Sequence, residues 1–415
     1  ADGFASAISS PIALGVGAPA SIELVMGDGQ TAPVGSAVPV APAVVVKDGT
    51  GNPVSGVPVN FVVTRGGGIV TGEDQITGAD GIAAVGSWKM GKNTGDNTLE
   101  ARIGTSGVSG NPVVFHATAE AGPLSPTKST VSASPASIGA STGSVFSTIT
   151  VKAVDDFGNP LRDIPVVISA TGSGNTIVQP SGPTNAQGVA TGRFSSTSPG
   201  DHVVSATVGG SAAGRTATVK VTAGPPVAST SSAQVGPGTA GAQTEVTINL
   251  RDASGNPVTG APGSISVTVS GANSASGPVA ETGGGAYVFR YTPVVAGTDQ
   301  VQVQVNGADV PGSPFSSTVS PGPADPSRSV ANVPATFFFS TTFSVTAVDA
   351  QGNLVGHGGE SVVISVDGIG PLSVADNGNG VYTADFAPGV GAYTVNITVN
   401  GGAIAGSPFT TQRVF

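Results

Sequence analysis

Acidic and amide side chains held at one recurring spacing are the first candidates for chemistry in this chain. The pattern Asp-x-x-Gly-Asn occurs at Asp48, Gly51 and Asn52, at Asp155, Gly158 and Asn159, at Asp252, Gly255 and Asn256, and at Asp349, Gly352 and Asn353. Side-chain oxygens this close together could begin a calcium site at a domain junction, but that ion takes roughly six to eight oxygens. Each copy has little further acidic company, so a turn-capping role is the better fit. Glycine supplies a positive φ, and Asp and Asn can bond the backbone of their own turn. Asp376-Asn377-Gly378-Asn379-Gly380 also has the oxygen density of a calcium loop. It lacks the downstream bidentate Glu and reads as a hairpin turn.

Other constellations fare no better. His116, His202 and His357 fall in three different repeats, and no triad or metal site forms from them unless the repeats fold back on one another. Carboxylates are scattered over turns, so no general acid and base pair stands out. Gly66-Gly67-Gly68 and Gly283-Gly284-Gly285 have no helix or Lys after them and make hairpins, not phosphate cradles. With no cysteine in the chain there is no thiolate nucleophile, thiolate metal site or disulfide framework. No catalytic residue, metal or cofactor is assigned.

The turns are informative about architecture. Their glycines are 107, 97 and 97 residues apart, a period of tandem domains and not of a solenoid. About a hundred residues is one β-sandwich with its own core. Gly 63, Pro 32 and only 10% charged residues suit a loop-rich all-β chain, and the 39% hydrophobic content comes in short β-branched runs that a disordered chain lacks. The boundaries fall at residues 19–121, 122–223, 224–322 and 323–415, marked by Ala121-Gly122-Pro123, Ala223-Gly224-Pro225 and Pro321-Gly322-Pro323. Each domain is expected to hold about seven antiparallel strands.

Alternation assigns faces within the strands. Ile82, Ala84, Gly86 and Trp88 share one face, as do Leu99, Ala101 and Ile103, and Val204, Ala206 and Val208. Tyr287, Phe289 and Tyr291 face away from Arg290, and Val301, Val303 and Val305 alternate with glutamines. Asn396-Ile397-Thr398 is an Asn-x-Thr site that alternation places on a strand surface.

A net charge of −10 opposes binding to nucleic acid or to anionic membrane surfaces. No apolar run approaches the roughly 18 residues needed to span a bilayer. The start at Ala1-Asp2 has no basic n-region and suits a secreted chain whose signal peptide has been removed. Residues 1–18 carry Phe4, Ile8, Ile12, Leu14 and Val16 among Ser, Ala and Gly. That segment is a linker or the remnant of an upstream strand, or alternatively a strand donated to another copy or another protein.

Two family resemblances follow from the motifs. The first two domains resemble the immunoglobulin-like repeats of invasin and intimin type bacterial adhesins, through Asp48 to Val54 with Val57-Pro58-Val59, the Gly81 to Trp88 segment, Asn97-Thr98-Leu99, and the trailing Ala121-Gly122-Pro123. The last two are similar to filamin-type repeats, through Gly285 to Pro293 with Ser313-Pro314-Phe315, and Gly380 to Pro388 with Ser407-Pro408-Phe409. Phe386 stands where the filamin pattern has its second Tyr. The resemblance implies four tandem immunoglobulin-like sandwiches, joined by short Gly-Pro linkers into an elongated rod, and filamin-like strand addition near Ser264 to Val269.

The function expected is that of an extracellular, non-catalytic, structural or adhesive rod or spacer on a bacterial surface or appendage. Its partners would be other proteins or copies of itself. One alternative is a self-assembling filament subunit, a homo-polymer that uses the N-terminal apolar segment for strand donation. A second is an array of carbohydrate-binding modules, which one Trp and four Tyr, several facing inward, argue against.

Overall fold

A computed structural model describes residues 15–415. Strands dominate, and among the described residues helix is limited to two three-residue 3-10 turns, Ala228–Thr230 and Pro262–Ser264. The chain divides into two compact units. One comprises residues up to Ile138 with Thr142–Ser196 and Gly200–Val221; the other comprises Gly139–Ser141, Thr197–Pro199 and Thr222–Phe415.

In the first unit, the leading sandwich pairs Pro19–Met26, Ala43–Asp48 and Ile82–Ala84 in one sheet. The other sheet runs Gln30–Pro33, Val113–Glu120, Gly95–Arg102, Pro58–Arg65 and Asp74–Ile76. Alternation is what lets each sheet bury one face. Along Val113–Glu120, for instance, Val113, Phe115, Ala117 and Ala119 are buried while the residues between them are exposed. Trp88, Phe61, Phe115 and Leu99 fill the space between the sheets, none more than 1% exposed. The second sandwich repeats the plan, with Thr130–Ser134, Ser147–Lys152, Val189–Ser196 and Asn175–Val178 in one sheet.

The second unit holds two sandwiches of the same design. One sheet of the first of these is Ser232–Val235, Thr244–Asn249, Ala286–Tyr291 and Ala280–Gly283, and the fourth domain matches it with Val330–Asn332, Thr341–Thr346, Val381–Phe386 and Ala375–Asp376. Tyr287, Phe289 and Tyr291 are buried, as are Val301, Val303 and Val305.

Two sequence expectations need correction. The sandwiches are not wholly antiparallel: Gln30–Pro33 runs parallel to Val113–Glu120, Gly238–Thr239 to Phe315–Ser320, and Thr336–Phe337 to Phe409–Arg413. The leading segment of each of these domains breaks and changes sheets, at Gly27 and Gly29, both with positive φ, in the first domain. Pro237 and Pro334, which lack a ladder N–H, mark the break in the third and fourth. Ile82, Ala84 and Gly86 do not share a face with Trp88 either. Ala83, Val85 and Trp88 are the buried residues, because the segment is two strands. Ile82–Ala84 pairs with Ala43–Asp48, Gly86 N–H donates to the Thr71 carbonyl at 2.8 Å, and Ser87–Lys89 then pairs with Ile69–Thr71. The extra residue at this crossing inverts the parity. Trp88 is fully buried as expected, with its indole Nε1 lacking a hydrogen-bond partner.

Trp88 makes the leading core separately observable. Leu99→Ala is expected to cost that domain about 2–5 kcal/mol and to shift the denaturation midpoint seen by tryptophan fluorescence. Phe343→Ala, in the fourth core, should leave that midpoint in place. Equal shifts from both would show that the cores do not unfold independently.

Candidate functional site

The four Asp-x-x-Gly-Asn turns share one geometry. Each follows the strand that pairs with the first strand of its domain, and its backbone closes on itself. Asp48 N–H donates to the Asn52 carbonyl at 2.9 Å and Gly51 N–H to the Asp48 carbonyl at 3.0 Å, with the same pair of bonds in the other three. The glycines have φ of +87°, +91°, +82° and +94°. A Cβ on any of them would meet nothing within 4 Å, so the left-handed backbone and not crowding selects glycine.

Each aspartate is the hub of its turn. Asp349 Oδ1 accepts the Gln351 and Asn353 N–H groups at 2.9 and 2.8 Å, and Oδ2 accepts Asn353 Nδ2 at 2.8 Å. Oδ2 also takes a backbone N–H from the segment leading into the domain: Gly17 to Asp48 at 3.0 Å, Gly122 to Asp155 at 2.9 Å, Gly224 to Asp252 and Gly322 to Asp349 at 2.8 Å. Four donors thus converge on each carboxylate, with the Thr50 hydroxyl as a fifth at Asp48, and none of the four is more than 6% exposed. At Asp48 the Gly17 N–H, the Thr50 hydroxyl and the Asn52 N–H hold the carboxyl well below the usual range. Burial pushes Asp155, Asp252 and Asp349 up, but the bonds from their Asn side chains, linker glycines and turn N–H groups together outweigh it and leave each lowered.

The asparagines reach outward. Within the first unit, Asn159 Nδ2 donates to the Lys92 carbonyl of the leading domain at 2.9 Å, and its Oδ1 accepts Thr94 N–H at 3.3 Å. Within the second unit, Asn353 Nδ2 donates to the Val294 carbonyl and Oδ1 accepts Ala296 N–H, both at 2.9 Å. Asn256 Nδ2 donates to the Thr197 carbonyl at 2.8 Å, and both residues belong to that unit. Asn52 instead bonds Thr50 Oγ1 at 2.8 Å inside its own turn. The third residue of the turn also makes contact: a Cβ on Gly35 would lie 2.8 Å from the Phe157 ring, and one on Gly241 2.5 Å from Gln351 Nε2. This joining role is absent from the sequence reading. The one available signal was a glycine placed before proline at each boundary.

The loop that receives Asn353 is itself braced. Asn273 Oδ1 accepts the Val294 and Val295 N–H groups at 2.8 and 2.9 Å, and its Nδ2 donates to the Val295 carbonyl at 2.8 Å. Fully buried Asp299 accepts Asn273 N–H at 2.8 Å and the Tyr291 hydroxyl at 3.0 Å. Burial and that carboxylate push the Tyr291 phenol up to about 12.

The remaining candidates are dispersed. His116 and His357 are exposed. His202 is buried, with Nδ1 2.9 Å from the Thr171 carbonyl and its ring against Phe194. Among the described residues no group of three or more His, Asp or Glu is placed to hold a metal, and no helix is long and apolar enough to cross a membrane. Asp376 to Gly380 is the tip of a hairpin between Ala375–Asp376 and Val381–Phe386. Phe4, Ile8, Ile12 and Leu14 lie outside the described residues, and Val16 is 56% exposed. At the filamin-like edge, Ile265–Gly271 is covered by Ala275–Ser276 only at Thr268 and Val269.

The lowered carboxyls fix a pH dependence. An aspartate whose folded pKa lies below the unfolded value of about 3.9 contributes stability that is complete above that value and is lost as pH falls through the folded pKa. Calorimetric midpoints should hold between about pH 5 and 7 and drop below about pH 4. Asp349→Asn should cost its domain about 1–3 kcal/mol at neutral pH and flatten that domain's acid limb. An unchanged acid limb would contradict the charge-based account.

Family models match three of the four domains. The bacterial Ig-like domain (group 1) model matches residues 128–222, the filamin/ABP280 repeat residues 216–316, and invasin domain 3 residues 324–412. Filamin-C of Mus musculus is 34% identical over 141 residues, 32% of this chain, which spans 5% of that relative's length. Invasin, described as a bacterial integrin-binding protein, superposes with a TM-score of 0.51 at 20% identity, covering 95% of this chain and 79% of its own. The Escherichia coli adhesin FdeC gives 0.49 at 25% identity, over 74% of this chain and 100% of its own. The fourth domain, grouped with filamin on its Tyr strand and Ser-Pro-Phe, matches the invasin domain. These matches, on sandwiches repeated four times, show a chain of tandem immunoglobulin-like fold whose second, third and fourth domains are similar to bacterial Ig-like, filamin and invasin domains respectively.

Proposed function

We propose that the protein is an adhesive scaffold of the bacterial surface, in which immunoglobulin-like domains act as spacers and present binding surfaces to other proteins. The observation that carries this reading is the repeated joint. A carboxylate with four donors and an asparagine bonded to the neighbouring domain define how consecutive domains meet within each unit. A spacer needs fixed joints of this kind, whereas domains joined only by flexible linkers would not transmit position. The invasin domain match and the structural likeness to an integrin-binding bacterial protein support a protein partner outside the cell. The sugar-binding alternative is the weaker one, because Trp88 and three of the four tyrosines, Tyr287, Tyr291 and Tyr382, are buried in cores and cannot stack on a glycan.

Antibody raised against the folded chain should label intact, unpermeabilised cells, and a strain without the gene should attach less well to host cells or to its neighbours. Labelling that appears only after lysis would sink the surface assignment. At the joint itself, Asn353→Ala should leave the sheet amides of both flanking domains protected from hydrogen exchange. Exchange at the Ala296 amide should quicken several-fold, as expected from losing a bond of about 1 kcal/mol. If the Ala296 rate is unaltered, the asparagine is not the tie.

A further inference from the structure

In the second domain Val166–Ala170 pairs with Gly200–Val208 and is the last strand of its sheet. Among the described residues no strand covers its other side. The other three domains cover the matching edge with backbone: Asp74–Ile76 lies along Pro58–Arg65, Ala275–Ser276 along Ile265–Gly271, and Gly370–Pro371 along Val362–Val366. A bare edge is a row of donors and acceptors that templates pairing with another chain.

In the second domain the cover is one side chain. Gln179 Oε1 accepts the Ile168 N–H at 2.8 Å, and its Nε2 donates to the Ile168 carbonyl at 2.8 Å. A residue on an added antiparallel strand would make the same two bonds. Parity shows that these groups point outward. The Thr171 N–H donates to the Val203 carbonyl and the Pro165 carbonyl accepts the Gly209 N–H, so the odd-numbered residues face Gly200–Val208, and Val166, Ile168 and Ala170 face away. Ile164, in the same outward series, is held by Thr184, whose N–H donates to the Ile164 carbonyl and whose hydroxyl accepts the Ile164 N–H, both at 3.0 Å.

The local sequence places the carboxamide. Asn175–Val178 runs along Val189–Ser196, and Pro180 has no N–H with which to continue a ladder, so the chain turns off at Gln179. A Cβ on Gly192 would lie 2.5 Å from the Val178 carbonyl oxygen and 2.6 Å from Ile168 Cδ1; glycine is what lets the two segments come this close. A carboxamide takes a similar place in the first domain. There the register that sets Ala101 opposite Val113 continues to Ile103 opposite Asn111, and the Asn111 side chain bonds the Ile103 N–H and carbonyl at 3.1 and 2.8 Å.

We propose that Gln179 is a removable latch standing in for an edge strand, and that it keeps a second copy of this chain from pairing at Val166–Ala170. The latch holds by two hydrogen bonds and is itself exposed, so water competes for it directly. The strand beneath suits a copy of itself. Val-Val-Ile-Ser-Ala carries no charge, and antiparallel pairing about Ile168 sets Val166 opposite Ala170 and Val167 opposite Ser169, with no like charges facing. Val167, 56% exposed, gains an apolar neighbour. Such pairing is two-fold symmetric and closes on itself as a dimer. The net charge of −10 opposes the approach of two copies, so the unlatched dimer tightens as salt screens it.

The test compares the full chain with Gln179→Ala by sedimentation and hydrogen exchange. In dilute Gln179→Ala the Ile168 amide should exchange several-fold faster than in the parent. The Val167 and Ser169 amides, which face Gly200–Val208, should stay slow, showing that the strand is still folded. On concentration the variant should dimerise with a dissociation constant at least tenfold below the parent's, and the Ile168 amide should become slow again. The chain has no cysteine, so the register can be trapped. Residues 167 and 169 of facing copies would have Cα atoms about 4.5 Å apart, within reach of a disulfide. Gln179→Ala chains bearing Val167→Cys, mixed with others bearing Ser169→Cys, should cross-link at least tenfold more than the same pair with Gln179 intact. An Ile168 rate unaltered by Gln179→Ala overturns the proposal. So does a variant as monomeric as the parent, or a dimer in which the Ile168 amide stays fast, since the copies would then meet elsewhere, at Ile265–Gly271 for instance.

Discussion

A carboxylate withdrawn from water must find donors for its charge, and that requirement shapes the joints within each compact unit of this protein. Asp155, Asp252 and Asp349 are at most 1% exposed, and an ion so placed is tolerable only when its lone pairs are filled. The donors come from separate parts of the chain: two N–H groups from the turn, an amide from the turn's last residue, and an N–H from the incoming segment. Satisfying one aspartate therefore closes the turn, pins the linker and aims the asparagine at the neighbouring domain. A neutral residue there would leave these donors competing for water, with no reason for the linker to lie against the turn.

The loop that meets Asn353 in the third domain and its counterpart in the fourth are held in two ways. In the third domain the receiving loop hangs on a buried polar chain from Tyr291 through Asp299 to Asn273, a network satisfied at each of those links and so able to stiffen what it touches. The fourth domain has Phe386 where Tyr291 stands, and its loop is held instead by Tyr393. That hydroxyl donates to the Gly389 carbonyl at 2.8 Å while its ring meets Phe386 edge-on at 5.2 Å. The second arrangement is apolar and local. At the same end of that domain Phe338, Phe339 and Phe415 stand exposed.

Repetition made the fold legible. Four copies of one turn at near-constant spacing fix the number of domains, and strict alternation such as Gln300 to Val305 fixes which face is buried. Periodicity failed at Ile82 to Trp88, because alternation holds only within one strand and nothing in Val85-Gly86 announces a crossing between sheets. It also could not foresee parallel pairing, which depends on where a broken leading strand comes to lie. The joining role of Asn159 and Asn353 was hidden for a chemical reason. A carboxamide can bond its own turn equally well, as Asn52 does with Thr50, and only three-dimensional neighbours decide between the two.

The parallel pairing of leading and final segments has a mechanical consequence. Where Gln30–Pro33 lies beside Val113–Glu120, and Thr336–Phe337 beside Phe409–Arg413, traction on the two ends of a domain slides neighbouring strands past one another along their length. The inter-strand bonds are then loaded together in shear instead of being peeled open one at a time. The leading domain, with four residues in register against two in the fourth, carries the longer such clasp, so under tension the fourth domain is the weaker link of the two.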